Sequence, residues 1–206
     1  MTSTDFLKLL CEGYVRSYRM FNIPERPRNM RDFRRNPIHP RWVDETHREL
    51  NFFVRLGEAL GYVSRLEMRT GSKGRRWDVS WLDLDSKVEE RQVVLCLECE
   101  NDHRKADDVV KKLLGSEGLR ACYLVGLLGW VKDDQFRRIK RMVERVFAGG
   151  PKNRSILLMA WVGDDEFHAF VAADGKLSAR DGKGYVDGEK YWCVHFVGGW
   201  RKATQA

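Results

Sequence analysis

Residues 93–101 read Val93-Val94-Leu95-Cys96-Leu97-Glu98-Cys99-Glu100-Asn101, a pattern that predicts a buried strand ending in carboxylates. A second segment, Trp77-Asp78-Val79-Ser80-Trp81, has the same character. Side chains alternate between the two faces of a strand, so Glu98 and Glu100 project to one side with Cα atoms roughly 6.5–7 Å apart. A carboxylate inside an apolar strand costs free energy unless a cation, a donor or a proton compensates it. Asp78, Glu98 and Glu100 together therefore predict a cation site.

The elements around these two strands predict an α/β fold. Helices are expected over about 3–20, 42–60, 102–114 and 133–147, and strands over about 62–68, 76–84, 93–100, 121–128, 156–162, 166–171 and 191–197. The glycine-rich residues 174–190 are expected to form a loop. An antiparallel start followed by a helix-crossed parallel pair predicts a central mixed β-sheet with helices on both sides.

Two helices have apolar stripes that predict their buried faces. The stripe of the first helix consists of Phe6, Leu9, Leu10 and Tyr14. In the second helix Glu49, Phe53, Leu56 and Leu60 share a face, which puts a carboxyl group at the end of a core-facing stripe. Glu49 is therefore either a boundary residue that points to solvent or a carboxylate that points towards a site in the core.

The chain is long enough for one domain with a full hydrophobic core. It has 206 residues, of which 43% are hydrophobic and 33% charged. We expect a helix and basic arm over 1–41, a core over 42–148, and a β-rich extension of the same domain over 149–206. Residues 22–41 carry four of the five prolines and many arginines, so they predict an extended arm, which is either a solvated connector or a phosphate contact.

Charge and cysteine content narrow the classes of function. The net charge of +7 indicates a polyanionic partner. We expect no signal peptide and no membrane-spanning segment. The odd number of cysteines does not predict a disulfide framework. We therefore expect a cytoplasmic protein. Cys96 and Cys99 have the gap of a zinc knuckle, but on a strand they face opposite sides and no second pair follows nearby.

Glu49, Asp78 and the Glu98-Cys99-Glu100 segment, in this order on these elements, resemble the PD-(D/E)XK nuclease superfamily over about residues 42–147. The resemblance implies a restriction-endonuclease-like core in which Asp78 and Glu98 bind Mg²⁺ or Mn²⁺. It also implies that Glu49 and the backbone carbonyl of Cys99 assist as metal ligands. Phosphodiester hydrolysis needs such a cation to activate water and to stabilise charge on the phosphate.

The chain departs from the family at Glu100, where lysine is most common, although certain restriction enzymes have glutamate there. Glu100 can accept the proton of the attacking water or hold a second metal ion. Alternatively, a lysine of the following helix supplies the positive charge; the candidates are Lys105, Lys111 and Lys112.

The sequence thus predicts a metal-dependent DNA endonuclease of the restriction, repair or junction-processing type, with Asp78, Glu98 and Glu100 as catalytic residues. RNA is an alternative substrate, no membrane partner is expected, and a homodimer is left open. The residues expected to contact nucleic acid are Arg34, Arg35, Arg75, Arg76, Lys105 and Lys112. The basic face of the 133–147 helix is either a second contact or a solvated surface.

Two other functions remain open at this stage. The first is a catalytically inactive, nuclease-like protein that binds nucleic acid through the same basic surface. The second is a protein-interaction factor whose carboxylates are exposed and unpaired.

Overall fold

The strands form one mixed sheet in this computed structural model. The described strands are β1 Arg19–Met20, β2 Val63–Thr70, β3 Arg75–Leu82, β4 Val93–Glu100, β5 Tyr123–Val131, β6 Ser155–Val162, β7 Glu166–Ala173, β8 Lys176–Val186 and β9 Trp192–Lys202. Their order is β1-β9-β8-β7-β6-β5-β4-β3-β2. The β4–β5 and β5–β6 pairs are parallel and the other pairs are antiparallel, so the expected α/β fold with a mixed sheet is confirmed.

The structure describes residues 1–20, 40–70, 75–83, 92–115, 123–148, 155–162, 166–188 and 192–202. Most of the predicted basic arm, including Arg34 and Arg35, lies outside these ranges. None of the helices within them is long and apolar enough to cross a membrane.

Helices cover both faces of the sheet, as expected. The described helices are α1 Ser3–Ser17, α2 Pro40–Ala59, α3 Ala106–Leu114 and α4 Asp133–Ala148, and a 3₁₀ turn, His103–Lys105, precedes α3. The helix α3 connects the parallel strands β4 and β5, and α4 connects β5 and β6. Because both connections have the same hand and proceed in the same direction across the sheet, both helices lie on one face. The helices α1 and α2 cover the opposite face, α1 over β6, β7 and β9, and α2 over β2 and β3.

The core on the α1/α2 face is built around large apolar side chains. Phe53 of α2 and Trp81 of β3 are fully buried, and the Trp81 indole N–H donates to the Phe53 carbonyl at 3.0 Å. Gly57 makes this close packing possible, because a Cβ atom there would lie 2.5 Å from Trp81 Nε1. The helix α2 is therefore fixed against β3, and Glu49 lies on the same helix.

The core on the α3/α4 face brings α3 close to the sheet. Its buried residues include Val110 and Leu113 of α3 and Ile139 of α4. Gly126 of β5 pairs with Glu98 of β4, and a Cβ atom at Gly126 would lie 2.6 Å from the Leu113 side chain. The absent side chain at position 126 lets α3 approach β4 beside Glu98.

The beginning of the chain is joined to its last described strand. Arg19 of β1 pairs with Cys193 of β9, and Met20 pairs with Trp192. In addition to this short pairing, Arg180 of β8 forms an ion pair with Glu12 of α1, with 2.7 Å between Nη1 and Oε1. The helix α1 is thus held by strands that follow it by more than 130 residues.

The predicted loop over 174–190 is wrong, because most of it forms β8. Glycines lower the strand propensity of this segment, but β8 has a partner on each side, β7 and β9, which satisfy its backbone groups. At Gly182 a Cβ atom would lie 2.8 Å from the His195 carbonyl, so the glycine allows a close approach between strands. Tertiary pairing overrides local composition here.

Three details of the helices also differ from the sequence prediction. Leu9 is 61% exposed, whereas Leu7 and Cys11 are buried, so the buried stripe of α1 is rotated from the predicted one. Leu60 is 49% exposed because α2 ends at Ala59. The second helix begins at Pro40, since proline is well suited to the first helical position, where no backbone hydrogen bond is lost.

Candidate functional site

The predicted site lies where the pairing of β3 with β4 stops. The described pairing reaches Val79 opposite Leu97 and goes no further, although both strands continue. Beyond that point the Asp78 carboxylate accepts a hydrogen bond from the Cys99 backbone N–H at 2.7 Å. A backbone donor in a half-buried strand needs an acceptor, and here a side chain supplies it. Asp78 of β3 is therefore held against the backbone of β4.

Glu49 approaches β4 from the α2 side and is buried, with 4% of its surface exposed. The Tyr14 hydroxyl donates to Glu49 Oε1 at 2.7 Å, and the Cys99 thiol donates to Oε2 at 3.0 Å. Burial raises the pKa of the Glu49 carboxyl, and the bonds from Cys99 and Tyr14 oppose this shift without cancelling it. The interpretation of Glu49 as a boundary residue pointing to solvent is therefore wrong.

Tyr14 is the third member of this buried group. Burial raises the pKa of the Tyr14 hydroxyl well above its ordinary value, and the neighbouring Glu49 raises it further. Tyr14, Glu49 and Cys99 thus link α1, α2 and β4 through hydrogen bonds between groups with little contact with solvent.

Glu98 projects from the other face of β4 and meets α3. Its carboxylate forms an ion pair with the Lys112 ammonium, and each side chain is 20% exposed. The same ammonium donates to the Arg76 carbonyl and lies 4.6 Å from the centre of a Trp77 ring. These contacts fix Lys112 at the start of β3 by a hydrogen bond and a cation–π interaction as well as by charge.

The electrostatics show that Glu98 is close to other carboxylates. Burial raises the pKa of Glu98, and the negative charges of Asp78 and Glu100 raise it further. Lys112 acts in the opposite direction, through its hydrogen bond and its charge. Neighbouring negative charges favour the binding of a cation beside them. In the structure, the Lys112 ammonium takes this place beside Glu98.

Glu100 contributes to the turn that follows β4. Its Oε1 atom accepts from the Asp102 backbone N–H at 2.9 Å, and Lys105 Nζ lies 4.0 Å from Oε2. Asp102 in turn accepts from the Arg104 backbone N–H at 3.0 Å. The contacts of Glu100 therefore stabilise the start of the 3₁₀ turn.

The predicted carboxylates are consequently divided between the two faces of β4. Cys99 packs with the α1/α2 core and contacts Glu49, whereas its neighbour Glu98 contacts α3. Asp78 bonds to the backbone between these two side chains. The structure brings Asp78, Glu98 and Glu100 close enough to interact electrostatically, and it puts Glu49 behind Cys99.

The basic residues predicted to contact nucleic acid have different surroundings. Arg76 is exposed, and its Nη1 atom lies 3.7 Å from Glu67 Oε2. Lys105 is also exposed, and its Nζ atom lies 4.0 Å from Glu100 Oε2. Lys112 is half-buried against Glu98. The backbone of Arg75 pairs with Thr70 at the start of β3.

The carboxylate oxygens at this site are the type of donor that a partly hydrated divalent cation prefers. Within the described ranges, no three His, Cys, Asp or Glu side chains are grouped so that they can hold a metal ion. Mg²⁺ usually takes one or two carboxylates from a protein and keeps several waters. Asp78 and Glu98 are both partly exposed, so each is accessible to a hydrated cation.

A cavity of about 840 Å³ lies between α1 and α2. Tyr14, Arg48 and Glu49 are among its lining residues, but Asp78 and Glu98 are not. The cavity therefore opens on Tyr14 and Glu49, and neither Glu98 nor Lys112 is among its lining residues.

Sequence reasoning missed the role of Tyr14, which it assigned to an apolar stripe. The hydroxyl of a buried tyrosine needs a partner, and the carboxyl on the core-facing stripe of α2 was an available signal. For Lys112 the sequence left three lysines open, and the structure identifies the one that contacts Glu98.

Comparison with known proteins does not assign the chain to a family. No model of a protein family matches it, and no curated protein matches it either.

Proposed function

We propose that the chain is a metal-dependent nuclease that hydrolyses phosphodiester bonds in DNA and has a restriction-endonuclease-like core. The observation that carries this proposal is the grouping of Asp78, Glu98 and Lys112 where β3 and β4 stop pairing. Two carboxylates and an ammonium at the exposed end of a buried strand pair are a chemically suitable set for a cation and a phosphate.

Lys112 is the proposed counterpart of the lysine that the family most often has at the position of Glu100. It comes from α3 and still reaches Glu98. In this role its ammonium orients the attacking water and carries positive charge towards the phosphate. Glu100 then does not have to supply the function of that lysine. Its role is instead to accept the hydrogen bond from the Asp102 N–H.

Asp78 and Glu98 would hold the metal ion, with the Cys99 carbonyl and Glu49 as the further ligands expected from the family. A bound Mg²⁺ or Mn²⁺ lowers the pKa of its water and stabilises charge on the phosphate. Hydrogen bonds from Tyr14 and Cys99 engage both oxygens of Glu49, which favours a supporting role through Cys99 over direct ligation.

A second candidate is a catalytically inactive protein that binds nucleic acid on the same scaffold. The observation that favours it is the ion pair of Glu98 with Lys112, which already neutralises a carboxylate needed for metal binding. In that case Lys112 has replaced the metal as the stabilising cation.

A cleavage assay separates the two candidates. Linear, single-stranded and branched DNA are incubated with the protein in Mg²⁺, in Mn²⁺ and in EDTA, beside Asp78→Asn, Glu98→Gln and Lys112→Met. We expect metal-dependent cleavage that falls by about a hundredfold or more in each variant, as losses of a ligand or of transition-state charge stabilisation do.

Lys183→Met is the matched control, because Lys183 is an exposed lysine of β8, which three strands separate from β4. It should cleave like the wild type. Cleavage that survives in Asp78→Asn and Glu98→Gln would reject the site, and binding of DNA without cleavage by the wild type would favour the second candidate.

A further inference from the structure

The outer face of α4 has three arginines at intervals of four residues. Arg137, Arg141 and Arg145 are exposed, while Phe136 and Ile139 of the same helix are buried against the sheet. Residues four apart are neighbours on a helix surface, so the three arginines form a continuous row, the arginine row. At 1.5 Å of rise per residue the row is about 12 Å long.

The arginine row differs from the other cations of α4 in its partners. Arg138 forms an ion pair with Asp107 at 2.8 Å, and Lys140 lies 3.8 Å from Glu144. Arg137 and Arg141 instead donate through Nε to backbone carbonyls one turn earlier in the helix, at 3.4 Å and 3.3 Å.

Within the described part of the chain, no carboxylate pairs with any member of the arginine row. Like charges at this spacing destabilise a helix. Repulsion within the arginine row therefore lowers the stability of the folded chain. A bound external anion would screen this repulsion.

The arginine row reaches the boundary between α4 and α3. Arg145 and Lys111 line one cavity of about 550 Å³ together with apolar residues of both helices. The next residue, Lys112, contacts Glu98. The arginine row thus lies on the helix layer that covers the same face of the sheet as Glu98.

The geometry favours a nucleic-acid duplex over the other polyanions. Successive arginines of the row are separated by about 6 Å of helix rise, so each can face a different phosphate of a regular, densely charged duplex. The described exposed side chains of α4 include no aromatic residue on which single-stranded bases could stack. Phe136, Ile139 and Val143 are buried against the sheet, so the described side chains of α4 leave no apolar face with which to enter a membrane interface.

We propose that Arg137, Arg141 and Arg145 dock the phosphate backbone of double-stranded DNA. The choice of DNA rests on the proposed function, and the inference adds the surface that would hold the duplex beside the candidate site.

The test measures binding of a DNA duplex of about 30 base pairs by fluorescence anisotropy over a range of salt concentrations, in EDTA. The variant combines Arg137→Gln, Arg141→Gln and Arg145→Gln. The control variant also removes three positive charges, but from arginines paired with carboxylates, by Arg104→Gln, Arg138→Gln and Arg201→Gln. Thermal unfolding verifies that both variants fold.

For the variant we expect affinity to fall about tenfold or more at low salt. The slope of log K against log salt concentration should become shallower by about 2.7, since each phosphate contact contributes about 0.9. The control variant should keep a slope within about one of that of the wild type.

Equal losses in the two variants would mean that only net charge matters and would overturn the proposal. So would a wild-type protein that fails to bind the duplex, or one that binds duplex RNA through this row in preference to DNA. Binding through the row with no cleavage in Mg²⁺ or Mn²⁺ would support this inference while counting against the proposed nuclease.

Discussion

The two faces of β4 hold their carboxyl groups in different ways. On the α2 side, Glu49 is almost fully buried and accepts hydrogen bonds from two neutral groups, Tyr14 and Cys99. On the α3 side, Glu98 is one-fifth exposed and is paired with a charged group, Lys112. Glu49 of α2 contacts Cys99 of β4, and Glu98 is the residue that precedes Cys99 on the same strand.

The two sides differ in how far solvent can reach the carboxyl group. A carboxyl that exchanges a cation or a water must be reachable from solvent. Glu98 is one-fifth exposed, whereas Glu49 is 4% exposed and both of its oxygens accept hydrogen bonds, from Tyr14 and Cys99. A buried acid held by neutral donors serves to fix its neighbours. We therefore interpret the Glu49 side as the support of the site and the Glu98 side as its working surface.

The largest expected effect comes from removing the cation on the working side. In Lys112→Met the apolar stem remains but Glu98 loses its partner, so we expect the free energy of unfolding to fall by about 2 kcal/mol, below the range for fully buried pairs. Urea denaturation measures the loss. Lys111→Met, which removes an exposed ion pair with Asp108, should cost about 0.5 kcal/mol or less.

Adding Glu98→Gln to Lys112→Met should recover part of the stability, because no uncompensated charge then remains. Equal losses in Lys112→Met and Lys111→Met would show that Glu98 does not need its cation, and the comparison between the faces would fail.

A smaller effect is expected on the support side. Glu49→Leu leaves the Tyr14 hydroxyl without its acceptor in the core, which should lower the free energy of unfolding by about 1–2 kcal/mol. Glu49→Gln retains an acceptor and should lose less than Glu49→Leu. If chemical denaturation ranks the two variants in the reverse order, the Tyr14–Glu49 bond is not what stabilises this face.

The pH dependence of stability should reveal the raised pKa of Glu49. Its pKa lies above the ordinary value of 4.5 in the folded protein, so above that pH the folded state retains a proton that the unfolded state has lost. The contribution of Glu49 to the free energy of unfolding therefore falls as pH rises from 4.5 towards the folded pKa.

Denaturation of Glu49→Gln over this pH range provides the measurement. The variant lacks the titrating group, so its stability should fall less with rising pH, or rise more, than that of the wild type. A steeper fall in the variant would mean that the pKa of Glu49 is lowered by folding.

The smallest effect on stability is expected at Asp78, between the two faces. Asp78→Asn retains an oxygen that can accept from the Cys99 N–H, so the free energy of unfolding should change by about 0.5 kcal/mol. Calorimetry checks this change. A loss as large as that of Lys112→Met would show that the charge of Asp78, and not only its hydrogen bond, stabilises the folded chain.

The layers of the fold could be predicted from the sequence, because periodicity reports burial directly. The helix expected over 102–114 and the strands expected over 156–162 and 166–171 are present as α3, β6 and β7. Strand β8 could not be predicted, since its partners β7 and β9 supply the stability that its glycines lack.

The candidate site could be predicted only in part. Alternation on β4 correctly puts Glu98 and Cys99 on opposite faces, and the local spacing pointed to α3 as a source of lysine. Which lysine reaches Glu98 depends on how closely α3 approaches β5 at Gly126, a distance that no local pattern contains. The burial of Glu49 likewise depends on Tyr14, which is 35 residues away in the chain.

The attachment of α1 to β6, β7 and β9 has a consequence for synthesis of the chain. The helix α1 is made before these strands, and its packing surface is complete only when β9 has been made, roughly 10 to 40 s later at ordinary elongation rates. During that time Leu7, Leu10 and Val15 have no finished core to enter. The apolar face of α1 therefore stays without its native packing partners until translation has reached β9.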